Sequence, residues 1–168
     1  MTYSAVAAPL AVSDLADTLR VNLIVLGKQT AGLTHGDSLR QPSPRGNCLN
    51  FVLGHIALHR EYMLRDLGLE PEVGEGALAR YAKDSDPVVE DSEEVLQLED
   101  LIGIFGRQHD RIQVALDSLP EEELAQPAPL NESKTVAGHL LFLAWHEGYH
   151  LGQTELLRQL AGTNDKVM

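Results

Sequence analysis

The sequence predicts an all-α protein, a four-helix bundle formed by a single domain of 168 residues. Apolar residues recur at intervals of three and four along four separate stretches, which is the period of an amphipathic helix. Segments rich in Pro and Gly separate these stretches, and no run shows the sustained alternation of a strand. Four helices of about 20 to 28 residues in one compact domain are typical of a four-helix bundle.

The first two predicted helices cover residues 13–34 and 47–67. Ser13 is a plausible N-cap of the first helix, and its apolar stripe consists of Leu15, Leu19, Leu23 and Leu26. A segment with two prolines and two glycines follows. We expect Asn47 to cap the second helix and Gly68 to end it.

A long connection, residues 69–91, leads to the third predicted helix. It is acidic and rich in Gly, Pro and Asp, and it is too long for a tight turn between antiparallel neighbours, so it is predicted to be a crossover. Asp91 and Glu94 have the spacing of a capping box, which predicts that the third helix covers 92–118 and ends before Pro120. The fourth helix is predicted at 134–160, with Ser133 as its cap and Gly162 after its end.

The composition restricts the class of partner. The chain has 13 basic and 25 acidic residues, for a formal net charge of −12, and this charge would repel a phosphate backbone, so nucleic acid is not an expected partner. No run approaches 18 apolar residues, and the N-terminus lacks the basic start of a signal peptide, so we expect no membrane partner and a cytoplasmic location. The single cysteine, Cys48, fits a reducing compartment.

The candidate functional residues are found among seven histidines. His146 and His150 are four residues apart in a predicted helix, so their side chains share one face at a spacing that allows both imidazoles to bind one metal ion. His55 and His59 repeat this spacing in the second helix. If the two helices are neighbours, a third ligand from the second helix would leave one coordination position for water or substrate. The alternative is an ordinary pair of exposed or packed histidines.

Other residues near these histidines have weaker predicted roles. Residues 146–150 match the H-E-x-x-H pattern of zinc proteases, in which Glu147 would be the general base, but too little chain follows to supply the usual third ligand. Glu147 is more simply explained by a salt bridge to a neighbouring helix or by exposure to solvent. Gln153 can reach His150 and hydrogen-bond to a ligand residue or substrate. His59 is expected beside the site, as a pocket-lining or proton-shuttling group.

Two segments carry a resemblance to a known family. The stretch from Trp145 to Gln153, with its H-x-x-x-H-x-G-Q pattern, together with Leu53-Gly54-His55-Ile56 in the second helix, resembles the DinB-like family of small metal-binding bundles. The resemblance extends from the first helix to Gly162. It implies an up-down-down-up bundle in which the second and third helices run in the same direction.

The resemblance also implies a site and a chemistry. The metal ligands would be His55, His146 and His150, binding zinc, nickel or a similar divalent ion. Characterised relatives imply a reaction in which a low-molecular-weight thiol is transferred to an electrophilic small molecule, or a related metal-assisted hydrolysis. The family often has arginine where this chain has Leu151, which weakens any expectation of an anionic thiol.

Two functions therefore follow as hypotheses. The first is a metal-dependent enzyme of the DinB-like type that acts on a small-molecule substrate. The second is a non-catalytic stress-response or interaction bundle that holds a structural metal or none. A homodimer is expected in either case, because a twofold dimer is the commonest assembly and bundles of this type often pair through helix faces.

Overall fold

The computed structural model describes residues 12–43, 46–74 and 76–163. This part of the chain is mostly helical, with a two-stranded sheet before the last helix. In chain order the elements are α1 (Val12–Thr30), α2 (His35–Ser38), α3 (Leu49–Asp66), a 3₁₀ turn (Ala79–Tyr81), α4 (Leu98–Ser118), α5 (Glu121–Leu124), β1 (Pro127–Ala128), β2 (Asn131–Thr135) and α6 (Val136–Leu160).

The four long helices pack against one another around an apolar core. Helix α3 contacts α4 and α6, and α1 contacts the same two helices. The buried side chains fall into two clusters, one around Phe51, Ile56 and Phe105 and the other around Leu15, Met63 and Leu140. No helix in the described ranges is both long enough and apolar enough to cross a membrane. The prediction of a mainly helical fold is confirmed, and the short hairpin before α6 was not predicted.

The third long helix begins later than predicted. Helix α4 starts at Leu98, six residues after the predicted position, and residues 91–97 are irregular, with a turn at 93–95. The carboxylate of Asp91 does not cap this helix but lies 3.2 Å from Nε2 of His35, and the backbone N–H of Leu98 donates to Nδ1 of the same His35. The N–H of Leu96 donates to the hydroxyl of Tyr81. These contacts with distant residues hold the segment out of the helix.

The predicted helix caps also differ from those observed. Ser13 lies inside α1, and the residues before Val12 are outside the described range. Ser133 belongs to strand β2, and the N-cap of α6 is Thr135, whose hydroxyl accepts a hydrogen bond from the N–H of Gly138. The short hairpin gave no pattern in the sequence because β1 has two residues and β2 is almost wholly exposed.

The other helix boundaries reflect local chain chemistry. Helix α1 ends at Thr30 and not at residue 34, because Gly32 adopts a left-handed conformation with φ of 75°. Thr34 then forms a capping box with Asp37 at the start of α2. Helix α3 begins at Leu49, and its N-cap is Cys48, one residue after the predicted cap Asn47. The four-residue helix α2 thus lies within the Pro- and Gly-containing segment between the first two predicted helices.

Candidate metal centre

Three histidine side chains from two neighbouring helices converge at one place. His55 is in α3, and His146 and His150 are one turn apart in α6. Each offers a ring nitrogen, and these three nitrogens all lie within 4.8 Å of one another. The i, i+4 spacing of His146 and His150 places both on one face of α6, and both rings contact His55 of α3. The three residues predicted from the sequence are therefore brought together.

Hydrogen bonds orient two of the three rings. Nδ1 of His55 lies 2.8 Å from the carbonyl oxygen of Tyr81, and since a carbonyl only accepts, this nitrogen carries the proton. Nδ1 of His150 lies 2.8 Å from Oε1 of Gln153 and donates in the same way. In the neutral form of each ring, such a bond makes Nε2 the unprotonated nitrogen that can bind a cation, which is the usual arrangement of histidine ligands.

The Nε2 atoms of the two α6 histidines face each other. They are 3.1 Å apart, and both rings are partly buried. Nδ1 of His146 is buried and has no hydrogen-bond partner in the described part of the chain. Because His150 carries its proton on Nδ1, its Nε2 accepts the Nε2 proton of His146. A cation bound between the rings would take the place of that proton.

Burial keeps these imidazoles in the form that binds metal. Burial, with smaller effects from neighbouring histidines, lowers the pKa of His146 from 6.5 to about 3. Burial also lowers the pKa of His150, although its hydrogen bond to Gln153 acts in the opposite direction. Both rings are therefore neutral near pH 7, and neutral imidazole is the form that coordinates a metal ion.

His59 lies beside the three converging histidines. Its ring centroid is 4.1 Å from that of His146 and 4.4 Å from that of His55. Its Nδ1 is 2.8 Å from the carbonyl oxygen of His55, one turn earlier in α3. Burial lowers its pKa from 6.5 to about 4. His59 thus lines the site as a neutral ring, outside the group of three whose ring nitrogens converge.

The histidines form one wall of a cavity of about 600 Å³. The loop after the 3₁₀ turn forms another wall, and two phenylalanines make part of the lining apolar. Asp84, in this loop, has a positive φ of 67°, which is uncommon for a residue other than glycine. The remaining lining residues are Asn47, Phe51, Val52, Lys83, Ser85 and Phe142. A small molecule could therefore reach the converging imidazoles.

Glu147 lies away from this cavity. Its carboxylate accepts hydrogen bonds from Nε and Nη2 of Arg60 at 2.7 and 2.9 Å, and from the amide of Asn22 at 3.0 Å. Arg60 and Glu147 are 0% and 1% exposed, so both charges are buried and paired. A carboxylate held in this way links three helices and has no free oxygen directed at the site, which excludes the general-base role of the protease pattern.

Several other histidines and aromatic residues, and Leu151, have different surroundings. His139 forms a buried pair with Asp66, and His35 binds the segment before α4, as described above. Trp145 and Tyr149 stack with centroids 6.0 Å apart, yet they are 62% and 58% exposed, so they are not core residues of the single chain. Leu151 is buried in the core and does not line the cavity.

The contacts of two important residues, Tyr81 and Arg60, could not be recognised from the sequence. Tyr81 acts on His55 through a backbone carbonyl, and any residue type has a carbonyl. An arginine in a helix is expected to be exposed, because arginine is almost never fully buried unless it is paired. Arg60 is nevertheless fully buried. Neither its burial nor its partner could be read from local spacing.

Comparisons with known proteins place this arrangement in a family. A solved structure, described as the conserved protein of locus from Enterococcus faecalis, superposes with a TM-score of 0.71 over 93% of this chain and 100% of its own, at 19% sequence identity. At that identity the likeness concerns the fold alone. No curated protein matches the chain. The family model of the DinB superfamily matches residues 26–154, which include all three converging histidines. The resemblance predicted from the motifs is confirmed, and the chain belongs to the DinB superfamily.

Proposed function

We propose that this protein is a divalent-metal-dependent enzyme that transfers a low-molecular-weight thiol to an electrophilic small molecule. The observation that carries the proposal is the convergence of three imidazoles, from His55, His146 and His150, on the wall of a cavity. Three histidine ligands with a coordination position left open are typical of catalytic sites, whereas structural sites are usually closed by a fourth protein ligand.

The donor set fits zinc or nickel, because imidazole nitrogen suits both ions. When bound, such a cation supplies Lewis acidity and lowers the pKa of a thiol or water beside it. The protein's own contribution is orientation: Tyr81 and Gln153 hold two ligand rings with Nε2 available. Related metal-assisted hydrolysis uses the same groups, with water in place of the thiol.

The cavity wall supports a small organic substrate. Phe51 and Phe142 offer apolar surface, and the cationic side chain among the described lining residues is that of Lys83. Leu151, which occupies the position where the family often has arginine, contributes no charge to the cavity. Recognition of an acidic group on a thiol or electrophile would therefore depend on Lys83, with Asp84 next to it as an opposing charge.

The test is a transferase assay on protein purified without a polyhistidine tag. A panel of small thiols is mixed with chloro-dinitrobenzene, and thioether formation is followed with metal-free protein, with added zinc or nickel, and with an added chelator. We expect activity that requires the metal and is lost in the His146→Ala/His150→Ala double variant. His35→Ala is a matched control, because His35 is not among the residues that line the cavity and instead contacts the segment before α4. Equal rates in all samples would contradict the proposal.

A surface for self-association, which is compatible with either hypothesis, is supported by one observation. Large apolar side chains of α1 and α6 are exposed on the described surface, including Val21, Ile24, Leu141, Trp145, Tyr149 and Leu156. Leu141, Trp145 and Tyr149 line one groove together with residues of α1, and contiguous exposed apolar surface marks interaction sites. We propose that the face serves a homodimer. Sedimentation of wild type and Trp145→Glu tests this: a dimer that dissociates in the variant supports it, and a wild-type monomer contradicts it.

We also infer an up-down-down-up course for α1, α3, α4 and α6. Side-chain bonds between helices support parallel neighbours for α3 with α4 and for α1 with α6, and antiparallel neighbours for the other two contacts. The supporting pairs are Asn50 with Leu96, Ala57 with Gln108, Asn22 with Glu147, Gln29 with Arg158, Ala16 with Gln113, and Asp66 with His139. The long connection between α3 and α4 is then the crossover that this topology requires.

A further inference from the structure

Tyr81 lies in the long connection between α3 and α4 and packs against α3, the helix that carries His55. It ends the 3₁₀ turn Ala79–Tyr81, and its side chain is fully buried, with 0% exposure. The ring lies against the backbone of α3 at Gly54, the residue before His55. A Cβ atom added at Gly54 would lie within 3.0 Å of three ring carbons of Tyr81. Glycine at this position therefore permits the close approach.

The hydroxyl of Tyr81 fixes the ring at its other end. It donates to Oδ1 of Asn50 at 3.0 Å and accepts from the backbone N–H of Leu96 at 2.8 Å. One bond is to α3 and the other is to the segment before α4. The side chain is therefore fixed by its ring contact with Gly54 and by the two bonds of its hydroxyl. Burial raises its pKa to about 12, which keeps the hydroxyl protonated and able to donate.

The backbone of the same residue contacts the site. The carbonyl oxygen of Tyr81 accepts the Nδ1 proton of His55 at 2.8 Å. The chain then continues directly into Lys83, Asp84 and Ser85, which line the cavity. One buried side chain thus determines the position of the carbonyl that orients His55 and of the loop that forms the opposite wall.

We propose that Tyr81, seated on Gly54, is a positioning residue that holds His55 in the tautomer with Nε2 unprotonated and directed at the converging histidines. The importance of this residue for metal binding rests on the proposed function, but its effect on the tautomer does not. Loss of a partner that orients a histidine ligand typically weakens metal binding by about 10- to 100-fold.

The first experiment measures the tautomer in metal-free wild-type protein. Nitrogen-15 NMR of the imidazoles distinguishes a protonated Nδ1 from a protonated Nε2 in the neutral ring. We expect His55 to carry its proton on Nδ1. A proton on Nε2 would overturn the proposal. Because no metal is present, this result is independent of whether the protein is an enzyme or binds metal at all.

The second experiment displaces Tyr81. Gly54→Ala places a methyl group where the ring lies, and we expect the Nδ1 tautomer of His55 to lose population and zinc affinity, measured by competition with a chelator, to fall by about 10- to 100-fold. Gly148→Ala is the matched control: it lies between the two ligands of α6, and an added Cβ there has no neighbour within 4 Å. We expect this control to bind zinc like wild type.

A milder variant covers the case in which Gly54→Ala does not fold. Tyr81→Phe keeps the ring and removes both bonds of the hydroxyl. We expect the same shift of the His55 tautomer, to a smaller extent, and a smaller loss of zinc affinity. A folded Gly54→Ala or Tyr81→Phe protein with the wild-type tautomer and wild-type zinc affinity would overturn the proposal. Wild-type protein that binds no zinc, with the Nδ1 tautomer present, would contradict only the proposed function.

Discussion

The buried ion pair between Arg60 and Glu147 leads to a prediction about stability. Both side chains are at most 1% exposed, two N–H groups of Arg60 donate to the carboxylate, and the guanidinium lies 3.5 Å from the centroid of the Phe105 ring. Glu147→Gln keeps the shape of the side chain but leaves the guanidinium charge buried without its partner. Breaking such a pair by changing one member typically costs about 3–5 kcal/mol.

This loss of folding free energy can be converted into a change in melting temperature. For a chain of this size, 1 kcal/mol corresponds to about 2–4 °C, so Glu147→Gln should lower the melting temperature by about 6–20 °C. The assay is urea denaturation followed by circular dichroism, with thermal melting as a check. Arg20→Ala is the control, because Arg20 and Asp17 form an exposed pair on α1, and we expect a change below about 1 kcal/mol.

Two outcomes would refute this reasoning. The first is a Glu147→Gln protein whose free energy of unfolding differs from that of wild type by less than about 1 kcal/mol, because the pair would then not be the buried unit described. The second is wild-type stability combined with complete loss of activity, which is the result expected of a general base. A double variant with leucine at both positions should recover part of the lost stability, since apolar residues often replace a buried ion pair without loss.

Three further predictions concern a helix cap, a site neighbour and a buried histidine. Thr135→Ala removes the N-cap of α6 and should cost about 0.5–2 kcal/mol in urea denaturation, whereas Ser133→Ala, in exposed β2, should cost almost nothing. His59→Ala should still bind one zinc ion per chain by elemental analysis, and a loss of stoichiometry would make His59 a ligand. Burial lowers the pKa of His109, so the unfolded chain binds the proton first and stability declines as the pH falls below about 6.5. His109→Gln should therefore lose less stability than wild type on acidification, and an equal loss in both proteins would refute this.

The helices and the histidine site were predictable because both depend on local spacing. Apolar residues at intervals of three and four determine which face of each helix is buried. The same geometry places His146 and His150 on one face of α6. The pairing of α6 with α3, which adds His55, followed from the family resemblance and from the bundle architecture.

The features that the sequence did not predict depend on contacts between distant residues. The capping-box spacing of Asp91 and Glu94 is a local signal, but Asp91 instead binds His35 and the helix starts at Leu98. The carbonyl of Tyr81 reaches His55 from 26 residues away. Side-chain identity carries no information about a backbone acceptor, so the orientation of His55 could only be seen in the folded chain.

The number of zinc ions bound per chain tests most directly whether the three histidines form a metal centre. Metal-free protein without a tag is titrated with zinc by calorimetry, in wild type and in the His146→Ala/His150→Ala double variant, with His109→Gln as a control that retains all three proposed ligands. We expect one zinc ion per chain for wild type and for the control, and none bound with comparable affinity by the double variant. Equal zinc binding by wild type and the double variant would contradict the claim that His55, His146 and His150 form the metal centre.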